Sequence, residues 1–396
     1  MASSAIQICP QDPSAQIRCG MKGTFQVTVL NAKKKPMRRG EVICTFRTEW
    51  GETIAGIRHD LSRGNPFSVS AVPEKPGFLR CDAAYKDQTA FAVIACEPEK
   101  ITASQSCPED LYDFWQQEKS AAMQIPLDLK MEKLDRLSSE DYTGYAIDFA
   151  NINGTRMYGY LSIPTAAGVH PAGIVIPGAG PGLTEIPGDY PRDSVIVLAM
   201  NIHTYAVEPE TSRARYDELM RDQHYYLHGL PDRRQYYFHR AILGLCKSID
   251  VIRALPEWDG SHLAVTGSSQ GGGLSLALAA LHADWITAAA VDVPGACELV
   301  PGLRVPTHPW TQICAMPEGP SLLPYFDMVN LVPLIRCPML WSVGLRDENC
   351  VPRTVYAAYN RLRSEKFLWI GTHMTHKSDP EYARLRKSWL LQQLFK

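Results

Sequence analysis

Residues 262–281 read HLAVTGSSQGGGLSLALAAL. A short apolar run meets Gly-Ser-Ser-Gln-Gly, and a small-residue run of helical character follows. The pattern is G-x-S-x-G centred on Ser269, placed between a strand and a helix. A serine on so tight a turn takes up strained dihedrals, so its neighbours two residues away, Gly267 and Gly271, must lack side chains. Gly272 and Gly273 let the helix pack close to the strand, and the helix N-terminus lends positive potential to a developing oxyanion. Ser269 is therefore the candidate nucleophile. The competing interpretation is a glycine-rich connection with no chemistry.

Around this stretch the chain alternates strands and helices from about residue 142. AGIVIPGAG, DSVIVLAMNIH, ITAAAVDVPG, PMLWSVGLRDENC and KFLWIGTH read as strands, YFHRAILGLCKSIDVIRAL as an amphipathic helix, and DPEYARLRKSWLLQQLF as a closing helix. Apolar runs without alternation are strands buried on both faces, which implies an α/β fold with a mostly parallel sheet flanked by helices. Residues 108–136 read as helical, with Leu111, Phe114 and Trp115 on an apolar face. Residues 1 to about 100 differ: GTFQVTVL, GEVICTFRTEW and TAFAVIACEPEKI alternate with period two between turn residues, the pattern of a small antiparallel β-sandwich. EPEKITASQSCPED is a polar linker between the two. The expected division is an N-terminal all-β, Ig-like sandwich over 1–103 and a catalytic domain over 104–396, in keeping with a 396-residue chain. Trp50, Phe67, Phe78 and Tyr85 could line a sugar-binding face of the sandwich, but core packing is the preferred reading.

A nucleophilic serine needs an acid, a base and an oxyanion site, and in this chain order the acid follows a later strand and the base a still later one. Asp347 lies just past the apolar strand in PMLWSVGLRDENCVP and is the candidate acid, ahead of Asp292 and Glu348. Beyond it only His373 and His376 are available, in FLWIGTHMTHKSDPEY. His373 is preferred as base because it sits soon after the strand, whereas His376 falls almost at the Ser378 or Asp379 cap of the last helix; His376 is the alternative. Two backbone N–H groups should form the oxyanion hole, Gln270 directly after the nucleophile and Ala179 in the loop after IVIP. His203 and His239 are expected to be structural.

The remaining composition excludes several classes. A net charge of −2 gives no basis for capturing nucleic acid, and no apolar stretch is long enough to cross a bilayer. The eleven cysteines are scattered without a CxxC pair. With an N-terminus, MASSAIQICP, that lacks a basic and an apolar region, they point to a reducing, cytoplasmic location. No metal or organic cofactor is called for.

These residues resemble a known family. VTGSSQGGGLSLALAAL is similar to the serine motif of the acetyl xylan esterase and cephalosporin C deacetylase family, carbohydrate esterase family 7. PEDLYDFWQQEKSAAMQIPLD resembles its leader helix, GLPDRRQYYFHRAILGLCKSIDVIRALPEWDGSHLAVTG its Tyr-rich helix and nucleophile strand, and WSVGLRDENCVPRTVYAAYNRL its acid loop. The resemblance spans residues 108–396. It implies an α/β-hydrolase fold, a homo-oligomer, and a serine esterase that deacetylates acetylated xylo-oligosaccharides or related small sugars. Ser269, Asp347, Gln270 and Ala179 fall on the family's nucleophile, acid and oxyanion positions. Three features depart from the family: NIHTYAV, with Asn201 and His203, stands where it has Asp-Arg-Gly-Gln; His373-Met374 replaces its His-Glu; and the N-terminal β region is additional. Alternative readings are a peptidase or uronoyl-ester hydrolase on the same fold, or a non-catalytic carbohydrate-binding protein.

Overall fold

The computed structural model describes residues 5–104, 106–221, 224–305, 307–316 and 318–396. Residues 1–4 of the N-terminal stretch MASSAIQICP, and Gln105 of the linker, lie outside them.

The N-terminal region holds eight strands in two sheets. They are β1 (Ala5–Pro10), β2 (Gln16–Ile17), β3 (Gly23–Leu30), β4 (Glu41–Arg47), β5 (Thr53–Asp60), β6 (Phe67–Ala71), β7 (Gly77–Tyr85) and β8 (Gln88–Cys96). One sheet runs β1-β3-β6 and the other β2-β8-β7-β4-β5. Alternate residues of β3 and β4 are buried, so Phe25, Val27 and Val29 of one sheet share a core with Val42, Cys44 and Phe46 of the other. The period-two pattern thus marks a sandwich, as read. Phe67, Phe78 and Tyr85 are buried; Trp50 is half-buried, with Arg353 5.6 Å from its ring centroid. The linker is fastened down rather than loose. Asn360 donates to the carbonyls of Pro98 and Ile101, each at 2.9 Å, and Ser104 donates its backbone N–H to Glu298 Oε1 at 2.7 Å.

The rest of the chain is built on one nine-stranded sheet. Its strands are β9 (Lys130–Lys133), β10 (Tyr142–Ala150), β11 (Arg156–Pro164), β12 (His170–Ile176), β13 (Ile196–Asn201), β14 (Trp258–Ser268), β15 (Ala288–Asp292), β16 (Met339–Gly344) and β17 (Lys366–Gly371). They are ordered β17-β16-β15-β14-β12-β13-β11-β10-β9. The six from β17 to β13 are mutually parallel, and β11, β10 and β9 form an antiparallel edge. Every residue of β12, β13, β15 and β16 is buried, because helices cover both faces. The longer helices are α1 (Leu111–Met123), α2 (Ser212–Leu219), α3 (Tyr237–Arg253), α4 (Gln270–Leu281), α5 (Pro352–Arg361) and α6 (Pro380–Leu394). Ile174, Leu198, Leu263 and Val265 face α1, α3 and α4. Their sequence neighbours Val175, Val197 and Ala264 face Tyr382, Leu390 and Leu394 of α6.

One expectation needs correction. The helical reading of 108–136 holds only for α1; β9 and a short 3-10 turn occupy residues 130–137. Pro126, which has no N–H and disfavours helix in the residue before it, stands just past the end of α1.

Candidate active site

Ser269 sits at the C-terminal end of β14 with φ 56° and ψ −123°, outside the regions open to most side chains, and α4 begins at the next residue. Its N–H donates to the Asp292 carbonyl at 2.9 Å, and its own carbonyl accepts from Gly295 at 2.7 Å and Gly273 at 3.1 Å. The flanking glycines are required by contact. A Cβ on Gly271 would lie 2.1 Å from the Ile176 carbonyl oxygen, and one on Gly267 2.4 Å from that of Gly271. The turn therefore lifts Ser269 to the edge of the sheet where the parallel strands end, the usual location of ligand sites in such sheets.

His376 meets this serine. Its Nε2 lies 2.9 Å from Ser269 Oγ, and its Nδ1 lies 2.9 and 3.1 Å from the two carboxylate oxygens of Asp347. Asp347 projects from the loop after β16, its side chain fully buried, and Oδ1 also accepts from the N–H groups of Asn349 at 2.8 Å and Cys350 at 2.9 Å. Burial would lower the pKa of His376, but the hydrogen bond and charge of Asp347, with Asp292 behind it, outweigh burial and raise it above the ordinary histidine value.

The preference for His373 is thereby corrected. Met374 N–H donates to the Gly371 carbonyl at 3.1 Å, closing a turn directly after β17. That turn leaves His373 exposed and tucks Met374 inward, where its carbonyl accepts from Arg346 N–H at 3.0 Å. The chain then crosses the end of β16 and delivers His376 to Asp347. Asp379 caps α6 by accepting from Glu381 N–H at 2.7 Å, so three residues before the cap leave enough room. The rival acids are occupied elsewhere: Ser342 donates to buried Asp292, and Arg80 donates to Glu348 at 2.7 Å.

Gln270 is buried and opens α4; its side-chain oxygen accepts from Tyr225. The loop after β12 comes alongside: a Cβ on Gly178 would lie 3.8 Å from that of Ser269, and Ala179 follows at an exposed position. The segment the sequence left without a role proves to hold this loop. His203 Nε2 lies 2.7 Å from the Gly180 carbonyl, Asn201 Oδ1 accepts from Leu183 N–H at 2.7 Å, and Tyr205 donates to the Pro181 carbonyl at 3.2 Å. A carbonyl only accepts, so Nε2 of His203 carries the proton and Nδ1 accepts from the Tyr237 hydroxyl at 2.7 Å. Burial pushes the pKa of His203 down to about 4, which keeps the ring neutral. The structural expectation for His203 stands, with its place now specified. Among the described residues no group of His, Cys, Asp and Glu side chains forms a metal site, and no helix is long and apolar enough to cross a membrane.

A strained serine at a strand-to-helix turn, backed by histidine and aspartate from successive later strands of a parallel sheet, places the chain among the α/β-hydrolases. The family model for acetyl xylan esterase matches residues 97–394, and the chain belongs to that family. It is a carboxylic ester hydrolase. The acetyl esterase Axe7A of Xylanibacter ruminicola is 28% identical over 350 residues, which is 84% of this chain and 78% of that protein. Acetyl xylan esterase 1 from a Thermoanaerobacterium species superposes with a TM-score of 0.66 at 23% identity, covering 75% of this chain and 98% of its own. A Paenibacillus acetyl xylan esterase gives 0.67 at 22% identity, covering 75% of this chain and 99% of its own.

Proposed function

We propose that this esterase removes acetyl groups from acetylated xylo-oligosaccharides or related small acetylated sugars through an acyl-enzyme. The observation that carries the reading is the unbroken line from Ser269 Oγ to His376 and on to Asp347, each link 2.9 Å long. His376 takes the serine proton as Ser269 attacks the acetyl carbonyl. Asp347, by accepting from Nδ1–H, keeps Nε2 free to act as base and then stabilises the imidazolium. The N–H groups of Gln270 and Ala179 are assigned to the oxyanion, and losing one such donor typically costs roughly 10²–10³ in rate. The sugar leaves with the proton from His376, and water, activated by the same imidazole, releases acetate from Ser269. The carbohydrate substrate is supported by the family and by the names its relatives carry.

The test is acetate release from acetylated xylo-oligosaccharides by the full chain and by Ser269→Ala, alongside peptide and uronoyl-ester substrates. Release that requires Ser269 and exceeds turnover of the other classes is expected. Turnover of uronoyl esters or peptides alone would move the chemistry to another bond, and acetate release surviving Ser269→Ala would remove the mechanism.

A further inference from the structure

The outer face of the sheet formed by β4, β7 and β8 meets the loop that carries Asp347, and it holds both chain neighbours of that residue. Arg80, on β7, donates Nη1 to Glu348 Oε1 at 2.7 Å, and its guanidinium carbon lies 3.7 Å from the Phe91 ring centroid. Arg346 reaches the same ring, at 4.9 Å. Arg80 is itself steadied by Asp82, whose Oδ1 lies 2.8 Å from its Nε. From the other side, Thr307 Oγ1 donates to the Glu348 carbonyl at 2.6 Å. The helix that follows the loop is tied to the same region: Arg353 of α5 donates to the Thr102 carbonyl at 3.0 Å and lies 3.6 Å from Glu49 and 3.2 Å from buried Glu298.

We propose that the N-terminal sandwich positions the acid loop for catalysis: Arg80 and the Phe91 ring fix Glu348 and Arg346, and the backbone between them thereby holds Asp347 against His376. The proposal rests on the acyl-enzyme reading. Arg80, Phe91 and Glu348 are positioning residues, since none of them touches Ser269 or His376. A pair as open to solvent as Arg80 and Glu348, with side chains 29% and 42% exposed, adds little to stability, so its value lies in geometry. A small drift of Asp347 is enough, because misplacement of about 1 Å originating far from the chemistry can cost about 10²-fold.

Position also sets the charge on the base. The groups facing His376 are Asp347 from the acid loop and Asp292 at the end of β15, with Arg386 of α6 3.9 Å from Asp292 and paired to Asp189. The Cys350 thiol lies beside Ser269, its pKa raised by burial. Of these, Asp347 makes the hydrogen bond that opposes desolvation. If it withdraws, burial acts less opposed and the His376 pKa falls.

The experiment uses the full chain with Arg80→Ala, Phe91→Ala, Arg80→Lys and the exchange Arg80→Glu with Glu348→Arg; Arg58→Ala, at an exposed pair with Glu41, serves as control. The readouts are kcat and KM on 4-nitrophenyl acetate, the acidic limb of kcat/KM against pH, and the thermal midpoint. Arg80→Ala and Phe91→Ala are expected to lower kcat about 10-fold or more with KM little changed, and to move the acidic limb to lower pH. Arg80→Lys and the exchange should recover part of both, and Arg58→Ala should match the parent. Parent values of kcat and acidic limb in Arg80→Ala, or a kcat loss with an unmoved limb, would overturn the proposal. If Arg80→Ala does not fold, Arg80→Lys and the exchange decide by the same readouts. Ser269→Ala measured alongside separates the two claims: activity retained there removes the acyl-enzyme reading, whereas activity lost there but untouched by Arg80→Ala removes only the positioning role.

Discussion

The turn around Ser269 and the loop around Asp347 differ in what holds them beyond their own backbone. The serine turn is held by backbone. Its amide and carbonyl are bonded to Asp292, Gly273 and Gly295, and the glycines beside it admit no side chain against Ile176. The acid loop starts on backbone bonds, with Leu345 and Arg346 N–H donating to the Gly371 and Met374 carbonyls, and is held further by side chains from elsewhere in the chain: Arg80 and Phe91 from the sandwich, Thr307 from the connection after β15. Close backbone packing makes the first site intolerant of local change. Reliance on partially exposed side chains makes the second sensitive also to residues far away in sequence.

The sharpest test of this contrast at the acid is Asp347→Asn. It preserves shape but donates toward Nδ1, favouring the wrong histidine tautomer, and a loss of about 10³–10⁴ in kcat is expected. A loss under tenfold would mean that another carboxylate, such as Asp292, supports His376. At the serine turn, Gly271→Ala adds a methyl 2.1 Å from a carbonyl oxygen. Overpacking of this kind costs roughly 1–3 kcal/mol, and the displaced turn should lose about 10²-fold in kcat. A variant with the parent's thermal midpoint and rate would show that the turn is less rigid than its contacts require.

How much could be read in advance follows the same contrast. The turn at Ser269 was legible because a strained residue between glycines is a local steric rule, written within five residues. The parallel sheet was legible because β12, β13, β15 and β16 are buried on both faces and so lack alternation. Proximity to the strand end favours His373, but the Gly371–Met374 turn points that residue outward, which no local pattern announces. Lys130–Lys133 read as helix because its pairing with β10, not its own pattern, makes it a strand. The grip of Arg80 on Glu348 spans 268 positions, beyond any local pattern.

A smaller effect is expected at the loop after β12. His203→Ala removes the donor to Gly180 and should lower kcat about 10–100-fold with the fold intact, since the loop would no longer be held against Ser269. An unchanged kcat would free this loop from the comparison. His203 also bears on acid stability. With a folded pKa of about 4, below the ordinary histidine value, the unfolded chain binds more protons between the two, so stability falls as pH drops through that window. Denaturant unfolding from pH 7 to pH 4 should show the parent losing stability faster than His203→Ala. Parallel loss in both would assign the acid sensitivity elsewhere.

The most direct measurement is acetate release from acetylated xylo-oligosaccharides by His376→Ala and His373→Ala side by side. His376→Ala is expected to lose about 10³-fold or more in kcat. His373→Ala, at an exposed position, should stay within about twofold of the parent. A His376→Ala enzyme that keeps its rate, or a His373→Ala enzyme that loses it, would contradict the Ser269–His376–Asp347 assignment.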